Sequence, residues 1–66
     1  MNGIKKQRLA LGFTQSQLAI MVGVGQSIVA QWETGRALPR ADKLPEIAKA
    51  LGCSIDELYA DAGKAG

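Results

Sequence analysis

The sequence predicts an all-α domain built from five short helices. Three observations predict it. Gly and Pro punctuate the 66 residues at short intervals, at Gly12, Gly23, Gly25, Gly35, Pro39 and Gly52, and leave segments of helical length between them. Thr14 with Gln17, and Ser54 with Glu57, form capping-box patterns, in which hydroxyl and N3 side chain satisfy orphan backbone N–H groups reciprocally. Apolar residues recur at three- and four-residue spacing, while alternation never persists beyond a few residues, so strand signals are poor.

Each element follows from local chemistry. The first helix covers about residues 3–11 and stops at Gly12. The second starts after Thr14, places Leu18, Ala19 and Val22 on one face, and ends at Gly23. The third runs from about Gln26 to Thr34 and closes at Gly35. In the fourth, Leu44, Ile47, Ala48 and Leu51 sit at i, i+3, i+4 and i+7, the spacing of one buried stripe. Pro45 lacks an N–H and fits only the first turn, which sets the start of this helix near 42–44. The fifth follows the Ser54 cap and is expected to bury Ile55, Leu58 and Tyr59. A single domain over residues 1–61 with a flexible tail at 62–66 is expected.

Composition removes several functions. A chain of this size buries about 60% of the surface its unfolded form exposes, so its core is marginal and a large substrate cavity is implausible. There is no His, which excludes imidazole catalysis and His metal ligands. The single Cys53 can neither close an internal disulfide nor build a thiolate zinc site. No nucleophile–base pair, carboxylate dyad or metal cluster is visible, so no enzyme, no metal and no cofactor is expected. The longest apolar run, residues 18–24, is interrupted by Gly23 and falls far below the roughly 20 residues that span a bilayer. No signal-peptide pattern follows Lys5 and Lys6, so a cytoplasmic protein without membrane contact is expected.

Charge is unevenly distributed. Residues 1–43 carry Lys5, Lys6, Arg8, Arg36, Arg40 and Lys43 against Glu33 and Asp42. Residues 44–66 carry Lys49 and Lys64 against Glu46, Asp56, Glu57 and Asp61. A basic first part and an acidic remainder suggest one surface that meets a polyanion and another that does not.

The informative stretch is residues 14–35. Two short helices flank a tight turn with two glycines, Gly23 and Gly25, the layout of a helix-turn-helix whose second helix enters the major groove of DNA. Helical spacing, at about 100° per residue, divides the third helix into two faces. Gln26, Ala30, Thr34, Ser27 and Gln31 fall together within less than half a turn. Ile28, Trp32 and Val29 fall on the opposite side and are expected to pack on the domain. The first face is polar, small and uncharged, whereas an ordinary solvated helix more often carries Lys, Glu and Arg. A Gln amide can bond adenine N6 and N7 together, Ser can donate or accept at a base edge, and a small Ala lets the helix approach and touch a thymine methyl. A merely polar surface is the competing reading of that face. Arg36 and Arg40 flank the following loop, where phosphate contacts supply affinity without sequence information. Each of these cations alone reads as a solvated charge.

Residues 12–15, Leu18-Ala19, Val22-Gly23-Val24, Gln26-Ser27 and the run Gln31-Trp32-Glu33-Thr34-Gly35 resemble the Cro/C-repressor (XRE-type) helix-turn-helix family of phage and bacterial regulators. Residues 44–58 resemble that family's closing two helices. The resemblance covers about residues 4–60 and implies a compact five-helix, lambda-repressor-like DNA-binding domain. It implies that Gln15 touches phosphate and supports the reading helix, that Gln26, Ser27 and Gln31 face bases, and that Arg8 and Glu33 pair to bridge the first and third helices. Gly25 stands where the family often has a Ser or Thr cap. Gln7 occupies a position often apolar, Cys53 one often filled by a small aliphatic, and Ile20 and Met21 lie where the outer side of helix two is usually polar.

The implied function is a sequence-specific double-stranded DNA-binding repressor, Cro-like or controller-type, with no room in the chain for a ligand-sensing domain. Such proteins bind palindromic operators as homodimers with reading helices about 34–36 Å apart. The dimer contact is expected around residues 51–59, at Leu51, Cys53, Leu58 and Tyr59. The alternative is an antitoxin or other protein-interaction module that keeps the fold and meets a protein partner at Ile20 and Met21. An RNA role is weak because the chain lacks aromatic platforms.

Overall fold

The computed structural model describes residues 2–59; Met1 and residues 60–66, which include the tail expected at 62–66, lie outside the described residues. Five helices follow in order: α1 (Asn2–Ala10), α2 (Gln15–Val22), α3 (Gln26–Thr34), α4 (Leu44–Leu51) and α5 (Ile55–Leu58). No strand occurs among the described residues.

The caps that the sequence announces are formed. Thr14 Oγ1 accepts from the Gln17 N–H at 3.0 Å, and Gln17 Oε1 accepts from the Thr14 N–H at 2.7 Å. Ser54 and Glu57 repeat the arrangement at α5. Pro45 lies in the first turn of α4, where its missing N–H has no helical partner to lose. The α2–α3 turn requires glycine at one position: Gly23 adopts φ 74°, a left-handed conformation that lets its N–H bond back to the α2 carbonyls of Ala19 and Ile20.

Ile4, Leu18, Ala19, Val22, Val29, Trp32, Ile47, Ala48, Leu51 and Leu58 form one core, with Phe13, Val24, Leu44 and Cys53 packed around it. α3 lies against α1 and α2, while α4 and α5 close the opposite side of the core. Gly3 lets α1 meet the end of α5 at backbone distance: a Cβ there would collide with the carbonyl oxygens of Glu57 and Leu58. Gln7 is half-buried on α1.

Three residues expected in the core are exposed. Ile28 lies on the surface because the buried sector of α3 is the narrow stripe Val29, Trp32 and Glu33, and Ile28 sits about 100° round from Val29. Ile55 and Tyr59 are exposed because α5 is a single turn, and one turn presents one position, Leu58, to the core.

Candidate nucleic-acid interface

α3 is held by packing on one side and presents polar groups on the other. Val29 and Trp32 are buried, Gln26 and Ser27 are exposed at the first turn, and Ala30 and Gln31 are half-buried behind them. The Thr34 hydroxyl turns back onto its own helix and donates to the Ala30 carbonyl at 3.1 Å. Arg36 and Arg40 are exposed in the loop after α3. Arg40 stands 3.7 Å from Asp42, a loose, solvated pair worth little in stability.

A chain of hydrogen bonds fixes the start of α3. Arg8 Nε donates to Glu33 Oε2 at 2.7 Å, and Arg8 Nη2 donates to Glu33 Oε1 at 3.0 Å. Arg8 Nη1 also donates to the Phe13 carbonyl at 2.8 Å, which ties the α1–α2 connection to the same guanidinium. Gln15 Nε2 then donates to Glu33 Oε1 at 3.1 Å, and Gln26 Nε2 donates to Gln15 Oε1 at 2.6 Å. The relay therefore begins at a buried ion pair and ends at an exposed amide. With its amide nitrogen donating to Glu33, the Gln15 amide has one defined orientation, and that orientation presents its carbonyl oxygen as an acceptor to Gln26.

The electrostatics suit this arrangement. Burial pushes the Glu33 carboxyl up, but hydrogen bonds from Arg8 and Gln15, with the charges of Arg8 and Lys5, outweigh burial and hold it below the ordinary carboxylate value. Hydrogen bonding to Glu33 raises Arg8 further, against the opposing effect of burial. Both groups are thus charged around neutral pH, and no buried side-chain polar atom among the described residues lacks a hydrogen-bond partner.

Gly25 caps α3 with its backbone alone: it has extended geometry and makes no side-chain cap bond. Of the four residues expected at a dimer contact, Leu51 and Leu58 are buried in the core of this chain and present no surface. A partner at that end would meet half-buried Cys53 and exposed Tyr59. Burial, followed by the charge of Glu57, pushes the Cys53 thiol up, so it is protonated at neutral pH. On the outer side of α2, Ile20 is 80% and Met21 48% exposed. An open hollow of about 400 Å³ beside Met21 is lined by that residue with Glu46, Lys49 and Ala50. Among the described residues no cluster of His, Cys, Asp or Glu could hold a metal, and no helix is long and apolar enough to cross a membrane.

Sequence reasoning missed two features. It treated Lys43 only as a unit of basic charge, whereas its ammonium donates to the Val22 carbonyl at the end of α2. A Lys placed directly before a Pro-containing first turn, where a helix prefers Ser, Thr or Asp, was the available signal. It also left the link between Gln15 and Glu33 undrawn, because that link crosses two elements and has no local spacing.

The fold recurs among known proteins. Residues 4–58 match the model of a helix-turn-helix family. The chain is 40% identical over 55 residues to the transcriptional repressor RstR of the cryptic phage CTXphi in Vibrio cholerae, a match covering 83% of this chain and 49% of RstR. It is 38% identical over 55 residues to repressor protein C2 of Salmonella phage P22, covering 83% of this chain and 26% of C2. It thus spans about half or less of the length of these relatives. Among solved structures, the P22 c2 repressor in complex with a synthetic operator superposes with a TM-score of 0.81 at 37% identity, covering 88% of this chain and 91% of that one. The fold also matches part of FeII HppE, solved in complex with substrate, with a TM-score of 0.75 at 33% identity, covering 85% of this chain and 32% of HppE. Five helices in this order, the capped turn between α2 and α3 and the match over residues 4–58 place the chain in the XRE-type helix-turn-helix family.

Proposed function

We propose that this protein is a sequence-specific double-stranded DNA-binding transcriptional repressor that lays α3 in the major groove. The observation that carries the reading is the relay from Arg8 and Glu33 through Gln15 to Gln26, which orients an exposed amide at the first turn of α3. A surface residue needs no such support for solvation alone. A base-reading amide does, because bidentate recognition of adenine depends on its plane. Gln26, Ser27, Ala30 and Gln31 then read base edges, while Gln15, Gly25, Arg36 and Arg40 meet the phosphate backbone beside them. The similarity to a repressor solved on operator DNA supports the same placement.

The DNA-bound form is a homodimer on a palindrome, with Cys53 and Tyr59 at the contact and Leu51 and Leu58 supporting it from the core. Two copies with reading helices about 34–36 Å apart meet successive major grooves on one face of DNA. Repression is then steric.

Selection from a randomised duplex pool at two salt concentrations tests the proposal. Enrichment of a palindrome with half-sites one turn apart supports a dimeric operator binder. Weak, salt-sensitive retention with no enriched sequence sinks it. That outcome favours the second reading, a protein partner at Ile20 and Met21, whose exposure on α2 is the observation behind it.

A further inference from the structure

The N-cap of α4 carries a residue of the wrong chemistry for its place. Lys43 makes no side-chain cap bond there, and a cation at a helix N-terminus opposes the helix dipole. Its side chain instead leaves α4. The Nζ donates to the Val22 carbonyl at 2.9 Å and lies 3.3 Å from Glu46 Oε1, and the Lys43 side chain is 26% exposed. Val22 is the last residue of α2, so its carbonyl has no partner within that helix and lies at the negative end of the dipole. For α2 the cation has the right sign.

The position of Val22 gives this contact its weight. Only Gly23, Val24 and Gly25 separate it from Gln26, where α3 begins. Two of these three residues have no side chain, and Gly25 contributes no cap bond to α3. The path from α2 to the first base-facing residue is therefore fixed by backbone hydrogen bonds and by half-buried Val24. Lys43 adds a charge-assisted tie from a different helix, separate from the relay that holds Gln26 through Gln15.

We propose that Lys43 is a positioning residue that tethers the α2–α3 turn to α4 and so sets the presentation of Gln26 and Ser27. Its functional consequence rests on the DNA-reading proposal above. Its ammonium is engaged by a carbonyl and a carboxylate, so it contributes to discrimination between sequences and not to phosphate attraction.

The test compares the wild type, K43M and E46Q on the duplex enriched from the randomised pool and on a scrambled duplex of equal length, at two salt concentrations. K43M is expected to lower the ratio of the two affinities about tenfold, within the range of one well-oriented base contact, with the salt slope unchanged. E46Q keeps the Val22 contact and is expected to keep the ratio within about twofold of wild type. Partial unfolding reduces both affinities equally and leaves their ratio alone, so the ratio separates positioning from stability. An unchanged ratio in K43M, or a salt slope reduced by about one phosphate contact, overturns the proposal. Should K43M not fold, nitrogen NMR of the free wild-type protein decides the matter. A slowly exchanging Lys43 ammonium signal with coupling to the Val22 carbonyl carbon supports the tether, and its absence overturns it. If the wild type enriches no duplex, the DNA reading has failed, and that same signal still decides the tether.

Discussion

Arg8 and Glu33 are 25 residues apart in the chain and meet through two parallel hydrogen bonds inside the protein, at 2.7 and 3.0 Å. The pair joins α1 to α3, and Glu33 passes the constraint on to Gln15 and Gln26. One interaction thus serves the fold and the exposed face together.

Removing one member is therefore expected to cost far more than removing both. Arg8→Ala leaves a buried carboxylate without its cation and should destabilise the domain by about 3 kcal/mol or more. Combining Arg8→Met with Glu33→Leu should recover most of that loss, since apolar groups of similar volume need no compensation. Urea denaturation of the single and double variants measures both. Equal destabilisation by single and double variants would show that the pair contributes through packing and not through charge.

The same pair predicts a response to acid. The folded carboxyl of Glu33 lies below its ordinary value, so its contribution to stability is present above the unfolded pKa of about 4.3. It is lost as pH falls through the lower folded value, because the folded state must then take up a proton that the unfolded state already holds. Glu33→Gln should flatten that part of the melting temperature profile between about pH 5 and pH 2. A profile as steep as wild type would assign the acid sensitivity to other carboxyls.

Gly3 offers a reversal of helix propensity. Ala is favoured over Gly in a helix interior by about 1 kcal/mol. At this position an added Cβ would overlap the carbonyl oxygens of Glu57 and Leu58, so α1 and α5 would have to separate. Gly3→Ala is expected to lower stability by about 1–3 kcal/mol, the range for overpacking a tight site. A rise in the denaturation midpoint would mean that the two helices part without cost.

Gln26→Ala is expected to relax preference at a single base pair and cost about 1–3 kcal/mol on the enriched duplex. Gln15→Ala should produce a smaller loss of preference at the same base pair, because it removes the acceptor that orients Gln26, together with a sequence-independent loss from its phosphate contact. Competition binding against duplexes varied one position at a time reads both. Loss spread evenly over all positions would show that Gln26 supports affinity alone.

Gly25→Ser addresses the weak cap of α3. A Cβ at this residue meets nothing closer than Ser27 Oγ at 4.0 Å, and the backbone already has N-cap geometry. The added hydroxyl should stabilise the domain by a few tenths of a kcal/mol, visible as a small rise in melting temperature.

Sequence periodicity and punctuation were enough to locate the elements. Thr14 with Gln17 and Ser54 with Glu57 act within four residues, so their geometry is local and readable. Gly23, Gly35 and Gly52 end helices for the same reason. The buried stripe of α4 is legible because 3.6-residue periodicity survives any arrangement of neighbours. Ile28, Ile55 and Tyr59 escaped that logic. An apolar residue is buried only if a neighbour covers it, and which sector is covered depends on how α1, α2 and α5 pack.

The residues of the polar face were likewise legible as a pattern, and the family resemblance supplied their roles. The tie from Gln26 to the core was not legible. The chain itself determined five helices, two of them with capping boxes, a turn with two glycines and an uncharged face on the third helix. Tertiary structure alone decided that Gln15 bridges Glu33 to Gln26 and that the Lys43 ammonium reaches the carbonyl at the end of α2. Local hydrogen bonds close within one turn and are written in residue spacing. These contacts close only after separate helices have docked, when burial makes each unpaired polar group costly enough to require a partner.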